Sequence, residues 1–285
     1  MSVFQRLRHG CQRVFAAPEW TARTGENWTA TILDLAVSDR FFTKQGRSIA
    51  RWSLPNSNLV VYLKRHFRLP RWQGLLTALL PSSRWSPGWG EHHNLETARR
   101  LGIPVPRVLA AAEFLRPGGH LQSMLAVEEL TGMLPLHEAI PLAARRLTAP
   151  AFALWKRGLV AEMVRLVRLM HDGHWFHKDL YFCHFYIPEA DTIRPPADWT
   201  SRVHMIDFHR LRRHAATSLW WQAKDLGQLL YSSDVEGVAP RDRACFWKLY
   251  TQGRKAALVR SIVLMRARNN HGHNERRPQA PIKAA

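Results

Sequence analysis

Two short segments of this chain place carboxylates and a histidine at spacings that suit phosphoryl transfer. The first is His177-Lys178-Asp179-Leu180-Tyr181-Phe182-Cys183-His184, in which a carboxylate precedes a possible metal ligand by five residues. The second is Ile206-Asp207-Phe208-His209, in which a carboxylate follows a short apolar run. Phosphoryl transfer needs one carboxylate to orient the attacking hydroxyl and further groups to hold Mg²⁺ on the phosphates. Asp179 is therefore the candidate base, and Asp207 and His184 are the candidate metal ligands.

Each of these side chains also has a simpler interpretation. Asp179 is also a residue type that caps a loop, and Asp207 is one that ends a strand. Magnesium prefers oxygen ligands to imidazole nitrogen. His184 therefore has two candidate roles, direct ligation of the metal or a hydrogen bond to a phosphate or to a metal-bound water.

The charge of the chain indicates an anionic partner. The 285 residues carry a formal net charge of +19, and residues 1–90 hold 13 Lys and Arg against 4 Asp and Glu. Nucleic acid, acidic lipid and a phosphorylated glycolipid all match such an excess. Twelve tryptophans accompany it, with Trp72, Trp85 and Trp89 close together, as at membrane interfaces, sugar sites or stacked bases.

Cysteine usage and hydropathy narrow the class of protein. The three cysteines are too few and too scattered for a disulfide framework or a zinc cluster. The basic N-terminus lacks the apolar core of a secretory signal. No stretch approaches the roughly 20 apolar residues of a membrane-spanning helix.

The first half of the chain reads as mostly β. The pattern of residues 1–15 predicts a basic amphipathic helix. This helix either lies on an anionic membrane or is an N-terminus that is docked on the protein or frayed. Strands are expected at 41–44, 49–54 and 59–63, with Lys64 at the end of the third, and extended segments at 105–115 and 121–130 around a Pro-Gly-Gly turn. Residues 66–90 read as an irregular insertion with a short helix, and 91–101 as a helix ended by Gly102.

The second half reads as mostly helical. A helix through Leu159 and Met170 is expected to end at Gly173, followed by the loop that carries Asp179. Residues 203–208 predict a strand, and 218–231, 240–252 and 254–268 predict helices. The fold class is therefore α+β in two lobes, a β-rich N-lobe with one main helix and a helical C-lobe. The expected boundaries are a basic extension at 1–30, lobes at 31–131 and 132–268, and a disordered tail at 269–285.

These motifs together resemble the lipopolysaccharide kinases that phosphorylate heptose or Kdo, which have a divergent protein-kinase fold. The resemblance covers roughly residues 50–252. It rests on ordered stretches: Tyr62-Leu63-Lys64, Glu91 with Asn94 ahead of Gly102, Glu129-Leu130-Thr131, the segment from His174 through Phe185, Ile206-Asp207-Phe208-His209-Arg210, Lys224-Asp225-Leu226 and Leu230-Tyr231-Ser232-Ser233. In this family, His stands at position 184 where protein kinases have Asn, and Asp-Phe-His-Arg replaces Asp-Phe-Gly.

The resemblance implies a role for each site residue. Asp179 would accept or orient the sugar hydroxyl proton, Lys178 would neutralise charge on the transferred group, and Asp207 with His184 would hold Mg²⁺. Lys64 would contact the phosphates of ATP and pair with Glu91, with Glu96 as the rival for that pairing. Backbone groups of Glu129 and Leu130 would bind adenine. The supporting residues are His177, which would hold the catalytic loop, Asp225, which would open a helix and anchor the loop backbone, and Cys183, which would pack.

The function implied is an ATP- and Mg²⁺-dependent kinase acting on heptose or Kdo of the lipopolysaccharide core. Its partners would be that glycolipid and the anionic inner face of the inner membrane, where the chain would be a cytoplasmic, peripheral protein. Residues that would contact membrane or acceptor are Arg68, Arg71, Trp72 and Arg84. A glycine-rich loop over the phosphates is missing from the sequence, so the phosphate clamp is unassigned.

Two other functions stay open at this point. One is a phosphotransferase with the same fold that acts on a small molecule or on protein Ser or Thr. The other is a non-catalytic basic protein that binds nucleic acid, whose affinity would fall steeply with salt. The ordered acidic positions argue against nucleic acid, because a purely electrostatic binder gains nothing from them.

Overall fold

The computed structural model describes residues 1–37, 40–44, 46–252 and 261–266, with the backbone alone at 40–44. The chain divides into two compact units. The first comprises Met1–Thr97 and Val105–Thr131, and the second comprises Ala98–Pro104 and the chain from Gly132 onward. The boundaries expected from sequence stay a prediction, and the tail at 269–285 lies outside the described residues.

The first unit is built on one antiparallel sheet of six strands in the order β1-β5-β6-β4-β3-β2. Its strands are β1 (Cys11–Ala16), β2 (Arg40–Lys44), β3 (Arg47–Ser53), β4 (Val60–His66), β5 (Val108–Arg116) and β6 (His120–Glu128). Its helices are α1 (Val3–His9), α2 (Pro18–Thr24), α3 (Trp28–Thr31), α4 (Arg71–Leu79) and α5 (Pro87–Arg100).

Alternation along β4 decides which way Lys64 faces. Burial alternates residue by residue, and Val61, Leu63 and Arg65 are buried while their neighbours are half-buried. Successive side chains of a strand point to opposite faces. Leu63 joins the core with Trp20 and Leu109, so Lys64 lies on the other face of the sheet.

The prediction of a helix over residues 1–15 is wrong for its second half. α1 ends at Gly10, whose φ of +73° suits glycine and where a Cβ would lie 2.4 Å from the Leu115 carbonyl oxygen. Residues 11–16 instead form β1, which pairs with β5. Residues 1–30 therefore supply an edge strand to the sheet, and Trp20 and Trp28 to its core.

The other expected elements of this unit are present with shifted ends. β4 continues past Lys64 to His66, so that lysine lies inside the strand rather than at its end. α5 begins at Pro87, one turn before the predicted start. The insertion carries α4, and the Pro117–Gly119 turn joins β5 to β6 as predicted.

The second unit is mostly helical. Its elements are β7 (Met133–Pro135), α6 (Leu136–Arg146), α7 (Ala149–Asp172), β8 (Trp175–Phe176), β9 (Phe185–Pro188), β10 (His204–Met205), β11 (Arg212–Arg213), α8 (Ser218–Ser232) and α9 (Pro240–Thr251). Residues 261–266 are also helical, whereas the rest of the helix predicted at 254–268 lies largely outside the described residues. The short strands pair as β10-β9-β7 and as β11-β8.

α7 is the central helix of this unit. It buries Leu159, Met163, Leu166, Val167 and Met170, at the helical spacing of a core-facing stripe. His171 Nδ1 lies 2.8 Å from the hydroxyl of buried Tyr250 on α9, which links the two helices. Gly173 follows the helix, as predicted.

The strand predicted at 203–208 is much shorter in the structure. β10 covers only His204 and Met205, because Asp207 adopts a left-handed conformation with φ 64° and ψ 51°. An L-residue in that region cannot continue a strand. The α+β prediction is confirmed. No helix in the described part of the chain combines the length and hydropathy needed to cross a bilayer.

Candidate active site

The loop that carries Asp179 is fixed by a buried carboxylate on α8. Asp225 Oδ2 accepts a hydrogen bond from the backbone N–H of His177 and Oδ1 accepts one from the N–H of Lys178, both at 2.8 Å. Asp225 is fully buried. Two charge-assisted hydrogen bonds to consecutive amides fix the backbone just before Asp179.

Asp225 does not open a helix, which corrects the sequence prediction. It lies in the middle of α8, which begins about two turns earlier at Ser218. The helix therefore passes alongside the loop and presents Asp225 sideways, with Gln228 Oε1 accepting from the Leu180 N–H one turn later. A side chain inside a helix is held more rigidly than one at a fraying end.

Lys178 adopts a left-handed backbone conformation, with φ 71°. A non-glycine residue there carries strain that surrounding contacts must maintain. Its carbonyl accepts from Lys224 Nζ, and its own Nζ lies 4.1 Å from the centre of the Trp221 ring. Burial, and then the charges of Arg210 and Arg212, lower the pKa of Lys178.

The Asp179 carboxylate is held by an arginine. Arg210 Nη1 lies 3.0 Å from both Oδ1 and Oδ2 of Asp179. Burial and then the charge of Arg210 also lower the pKa of Lys224. The basic side chains around Asp179 form a positively charged surround that suits a polyphosphate.

Asp207 lies beside two histidines. Its Oδ1 accepts from His209 Nδ1 at 2.8 Å, and its Oδ2 is 3.7 Å from His184 Nε2. His184 Nδ1 donates to the Asp179 carbonyl oxygen at 2.7 Å, because a carbonyl can only accept. In neutral His184 the lone pair is therefore on Nε2, the nitrogen that faces Asp207.

The pKa of His184 is raised by its neighbours. Burial acts to lower it, but the Cys183 sulfur, the Asp179 carbonyl and the Asp207 carboxylate outweigh burial. The imidazole at this position thus gains a proton more readily than a free histidine, which suits a hydrogen bond to a phosphate oxygen.

The side chains at this site suit a Mg²⁺ ion that is already bound to the phosphates of a nucleotide. In the described ranges, no group of three or more His, Cys, Asp or Glu side chains is arranged as a metal cage. Magnesium is usually held through one or two carboxylates, with waters and substrate phosphates completing its shell. Asp207 is 31% exposed and supplies such a carboxylate.

His177 and Cys183 differ in their exposure to solvent. His177 is fully buried, and its Nε2 donates to the Ile206 carbonyl oxygen at 3.0 Å, which ties the two motif segments together. Burial lowers the pKa of His177, so the ring stays neutral. Cys183 is exposed, so the prediction of a packing role for its side chain is wrong.

In the first unit, Lys64 and Glu91 are brought together. Lys64 Nζ donates to Glu91 Oε1 at 2.6 Å, and both side chains are largely buried. The structure thus favours Glu91 over Glu96 as the partner on α5. A buried carboxylate holds an ammonium group in a fixed position on its strand.

The segment around Glu129 has its own hydrogen bonds. The Glu129 N–H donates to the Val60 carbonyl and its carbonyl accepts from the Thr131 N–H. Its carboxylate makes two bonds of 2.8 Å with Arg51, which lower the pKa of Glu129. Leu130 lies between Glu129 and Thr131, whose backbone groups make these hydrogen bonds.

Arg210 and His209 are the site contacts that sequence reasoning missed. They lie two and three residues after Asp207, within the same motif, so the sequence does contain a signal for them. What the spacing could not show is that Arg210 reaches back 31 residues to Asp179.

The sequence of this chain is similar to those of known lipopolysaccharide kinases. A model of the lipopolysaccharide kinase (Kdo/WaaP) family matches residues 64–250. The chain is 30% identical over 178 residues to the lipopolysaccharide core heptose(I) kinase WaaP of Pseudomonas aeruginosa, covering 62% of this chain and 63% of that protein. It is 32% identical over 128 residues to WaaP of Escherichia coli K12, covering 45% and 46%. The match thus spans less than two thirds of these relatives.

A solved structure, described as WaaP in complex with acyl carrier protein, shares the fold. The TM-score is 0.67 at 21% identity, covering 90% of this chain and 98% of that one. The prediction of a kinase-like α+β fold is confirmed by this match. The family match covers most of the chain and contains Lys64, Glu91, Asp179, His184 and Asp207. The chain belongs to the lipopolysaccharide kinase (Kdo/WaaP) family.

Proposed function

We propose that this chain transfers the γ-phosphoryl group of ATP to a sugar hydroxyl, on heptose or Kdo, of the lipopolysaccharide inner core. Family membership supports this proposal. The observation that carries it is the arrangement in the second unit, where His184 lies 2.7 Å from the backbone carbonyl oxygen of Asp179 and 3.7 Å from the carboxylate of Asp207. A purely electrostatic binding protein has no need of that arrangement.

The reaction assigns a task to each side chain. The acceptor hydroxyl oxygen attacks the γ-phosphorus, the bond to the β–γ bridging oxygen breaks, and ADP leaves. Asp179 orients the hydroxyl and takes its proton. Lys178 lies next to Asp179 and balances the charge on the transferred group.

Asp207 and His184 would hold Mg²⁺, which supplies charge neutralisation to the phosphates. His184 would act through Nε2, either on the metal or on a water or phosphate oxygen beside it. Lys64, held by Glu91, would contact the phosphates of ATP. Backbone groups of Glu129 and Leu130 would contact adenine, with Leu130 the more available because the Glu129 amide and carbonyl already have partners.

The acceptor assay tests the proposal. Purified protein is incubated with γ-labelled ATP, Mg²⁺ and core lipopolysaccharide that lacks core phosphates. Label is expected in the glycolipid, and mapping the phosphate would distinguish heptose from Kdo. Parallel reactions contain free sugars or a Ser/Thr peptide. Label only in those would contradict a glycolipid acceptor, and ATP binding without any transfer would contradict all three acceptors.

The Lys64–Glu91 pair gives a test that does not need the acceptor. Lys64→Met is expected to weaken ATP binding at least about tenfold, because the charge that faces the phosphates is lost. Glu91→Gln is expected to have a smaller effect, since an amide still accepts from Lys64. Isothermal titration with ATP and Mg²⁺ measures both.

The matched control is Arg107→Gln in the same unit. Arg107 pairs with Glu128 and Glu19, and it is half exposed. An exposed pair contributes little, so ATP affinity should not change. If the Lys64 and Arg107 variants bound ATP equally well, the assignment of Lys64 would be wrong.

We propose further that the chain acts in the cytoplasm as a peripheral protein at the inner face of the inner membrane. The support is the nature of the acceptor, a membrane glycolipid, and the net charge of +19. Positive protein charge favours binding to anionic lipid.

Acyl carrier protein is a further candidate partner. The solved WaaP structure is of a complex with that protein. The second unit of this chain also contains a cavity of about 400 Å³ whose lining is largely apolar, including Leu159, Met163, Leu226 and Leu229. An acyl chain is the part of such a partner that this lining suits.

Binding of acyl carrier protein separates two outcomes. Tighter binding of the acylated than of the unacylated form would assign the cavity to the acyl chain, and Met163→Trp should remove the difference by filling it. No binding of either form would exclude this partner.

A further inference from the structure

Two stretches of the first unit carry no acidic residue. Residues 1–18 contain three arginines and residues 55–90 contain one lysine and four arginines, with neither Asp nor Glu in either stretch. They include α1 and α4. A surface built from them attracts anionic groups without local repulsion.

α1 and α4 pack together against the Pro117–Gly119 turn. A Cβ on Gly74 of α4 would lie 1.9 Å from the Gly119 carbonyl oxygen, so only glycine allows this approach. At Gly119 a Cβ would meet Leu75 Cδ2 at 3.2 Å and Leu7 Cδ2 at 3.6 Å. Arg6 Nη1 also donates to the Ala78 carbonyl at 3.0 Å. The two helices therefore form one surface.

This surface, the α1–α4 face, exposes large apolar side chains. Their exposed fractions are 70% for Phe4, 53% for Trp72, 44% for Leu75, 56% for Leu79 and 65% for Leu80. Trp72, Leu75 and Leu79 recur at helical spacing, so α4 turns an apolar stripe outward. Phe4 lies one turn before Leu7 on α1. Clustered exposure of this kind marks an interaction site.

Arginines border the apolar stripe. Arg8, Arg68, Arg71 and Arg84 are exposed. Trp72 packs edge-on against Trp85, whose Nε1 donates to the Leu80 carbonyl at the end of α4. Leucines and tryptophan flanked by arginine are what an anionic bilayer accepts, with the apolar groups entering the acyl boundary and the guanidinium groups at the level of the phosphates.

We propose that the α1–α4 face docks onto an anionic phospholipid bilayer. Phe4, Trp72, Leu79 and Leu80 enter the interface, while the arginines contact lipid phosphates. The bilayer is favoured over a protein partner because the basic border is free of acidic residues throughout both stretches. This inference rests on the peripheral membrane location proposed above and names the surface that makes the contact, whereas it does not depend on the proposed reaction.

Vesicle sedimentation tests the proposal. The probes are vesicles of phosphatidylcholine alone and of phosphatidylcholine with phosphatidylglycerol, neither of which contains an acceptor sugar. The wild type is expected to bind the anionic vesicles, and less at high salt. Leu79→Ser with Leu80→Ser should weaken that binding at least roughly tenfold. Arg68→Gln with Arg71→Gln should weaken it about 25-fold, at roughly fivefold per arginine.

The control is a second pair of exposed apolar residues. Leu154 and Leu219 of the second unit are 59% and 52% exposed, and Leu154→Ser with Leu219→Ser should leave vesicle binding unchanged. Circular dichroism and ATP affinity should match the wild type in every variant, which separates lost docking from lost folding.

Three results would overturn the proposal. The first is absence of binding to anionic vesicles, and the second is equal loss in the control pair. The third is sedimentation of the free protein as a dimer that Leu79→Ser with Leu80→Ser dissociates, because the face would then meet a second copy. A kinase that fails to dock and a docking protein without kinase activity give different results, so the vesicle assay and the transfer assay test membrane docking and the proposed reaction separately.

Discussion

Asp179→Asn is expected to lower kcat for transfer to the core glycolipid by about 10²- to 10⁴-fold, the range of a lost general base. The amide keeps the shape of the carboxylate but cannot take the hydroxyl proton. ATP affinity and the melting temperature should change little, because the ion-pair partners of this carboxylate are Arg210 and His209, which are 46% and 43% exposed. Steady-state kinetics with ATP titration measure all three quantities.

Asp172→Asn is the matched control for that variant. Asp172 lies seven residues earlier, is 58% exposed and is 3.8 Å from Arg168. Its loss should leave kcat unchanged. If Asp179→Asn kept the kcat of the wild type, the proposed role of Asp179 would be excluded. Another residue would then have to be the general base of the proposed kinase reaction.

Asp225→Ala is expected to be the most destabilising change at the site. It leaves the buried N–H group of His177 and the partly buried N–H group of Lys178 without their acceptor. Each orphaned buried donor costs about 1–3 kcal/mol, so the free energy of unfolding should fall by about 2–6 kcal/mol. Denaturant unfolding measures it, and kcat should fall in parallel because Asp179 follows the released amides directly.

Asp225→Asn should recover only part of that loss. Its amide oxygen can accept from one N–H while its NH₂ group faces the other donor. Asp234, 75% exposed just beyond α8, is the control, and Asp234→Asn should be within about 0.5 kcal/mol of the wild type. Wild-type stability and kcat in Asp225→Ala would show that the loop is held by other contacts.

Local sequence patterns predicted the α+β class and most elements of the chain, because apolar residues recur at helical or strand spacing in those elements. They failed where structure depends on distant residues. β1 was missed since Cys11 pairs with Leu115, and one alternating strand of six residues looks much like a continuing amphipathic helix. The strand at 203–208 was overestimated because nothing local predicts the left-handed backbone of Asp207.

The candidate site was predictable as a set of residue types and not as a set of contacts. Asp179, His184 and Asp207 were chosen for what their side chains can do, and the structure brings them together. The interior position of Asp225 in α8 and the exposure of Cys183 depend on how helix and loop pack. Arg210 was visible beside Asp207, but its contact with Asp179 requires the fold.

The contact between Arg210 and Asp179 affects which hydroxyl, that of the sugar or that of water, receives the phosphoryl group in the proposed reaction. Arg210 occupies both oxygens that an attacking hydroxyl needs. A water molecule offers one hydrogen bond in exchange for that ion pair, whereas a sugar embedded in a large glycolipid brings many further contacts that offset the loss. In the proposed reaction, we expect the guanidinium to favour the sugar over water as the group that receives the phosphate, by the modest factor that an exposed ion pair supplies.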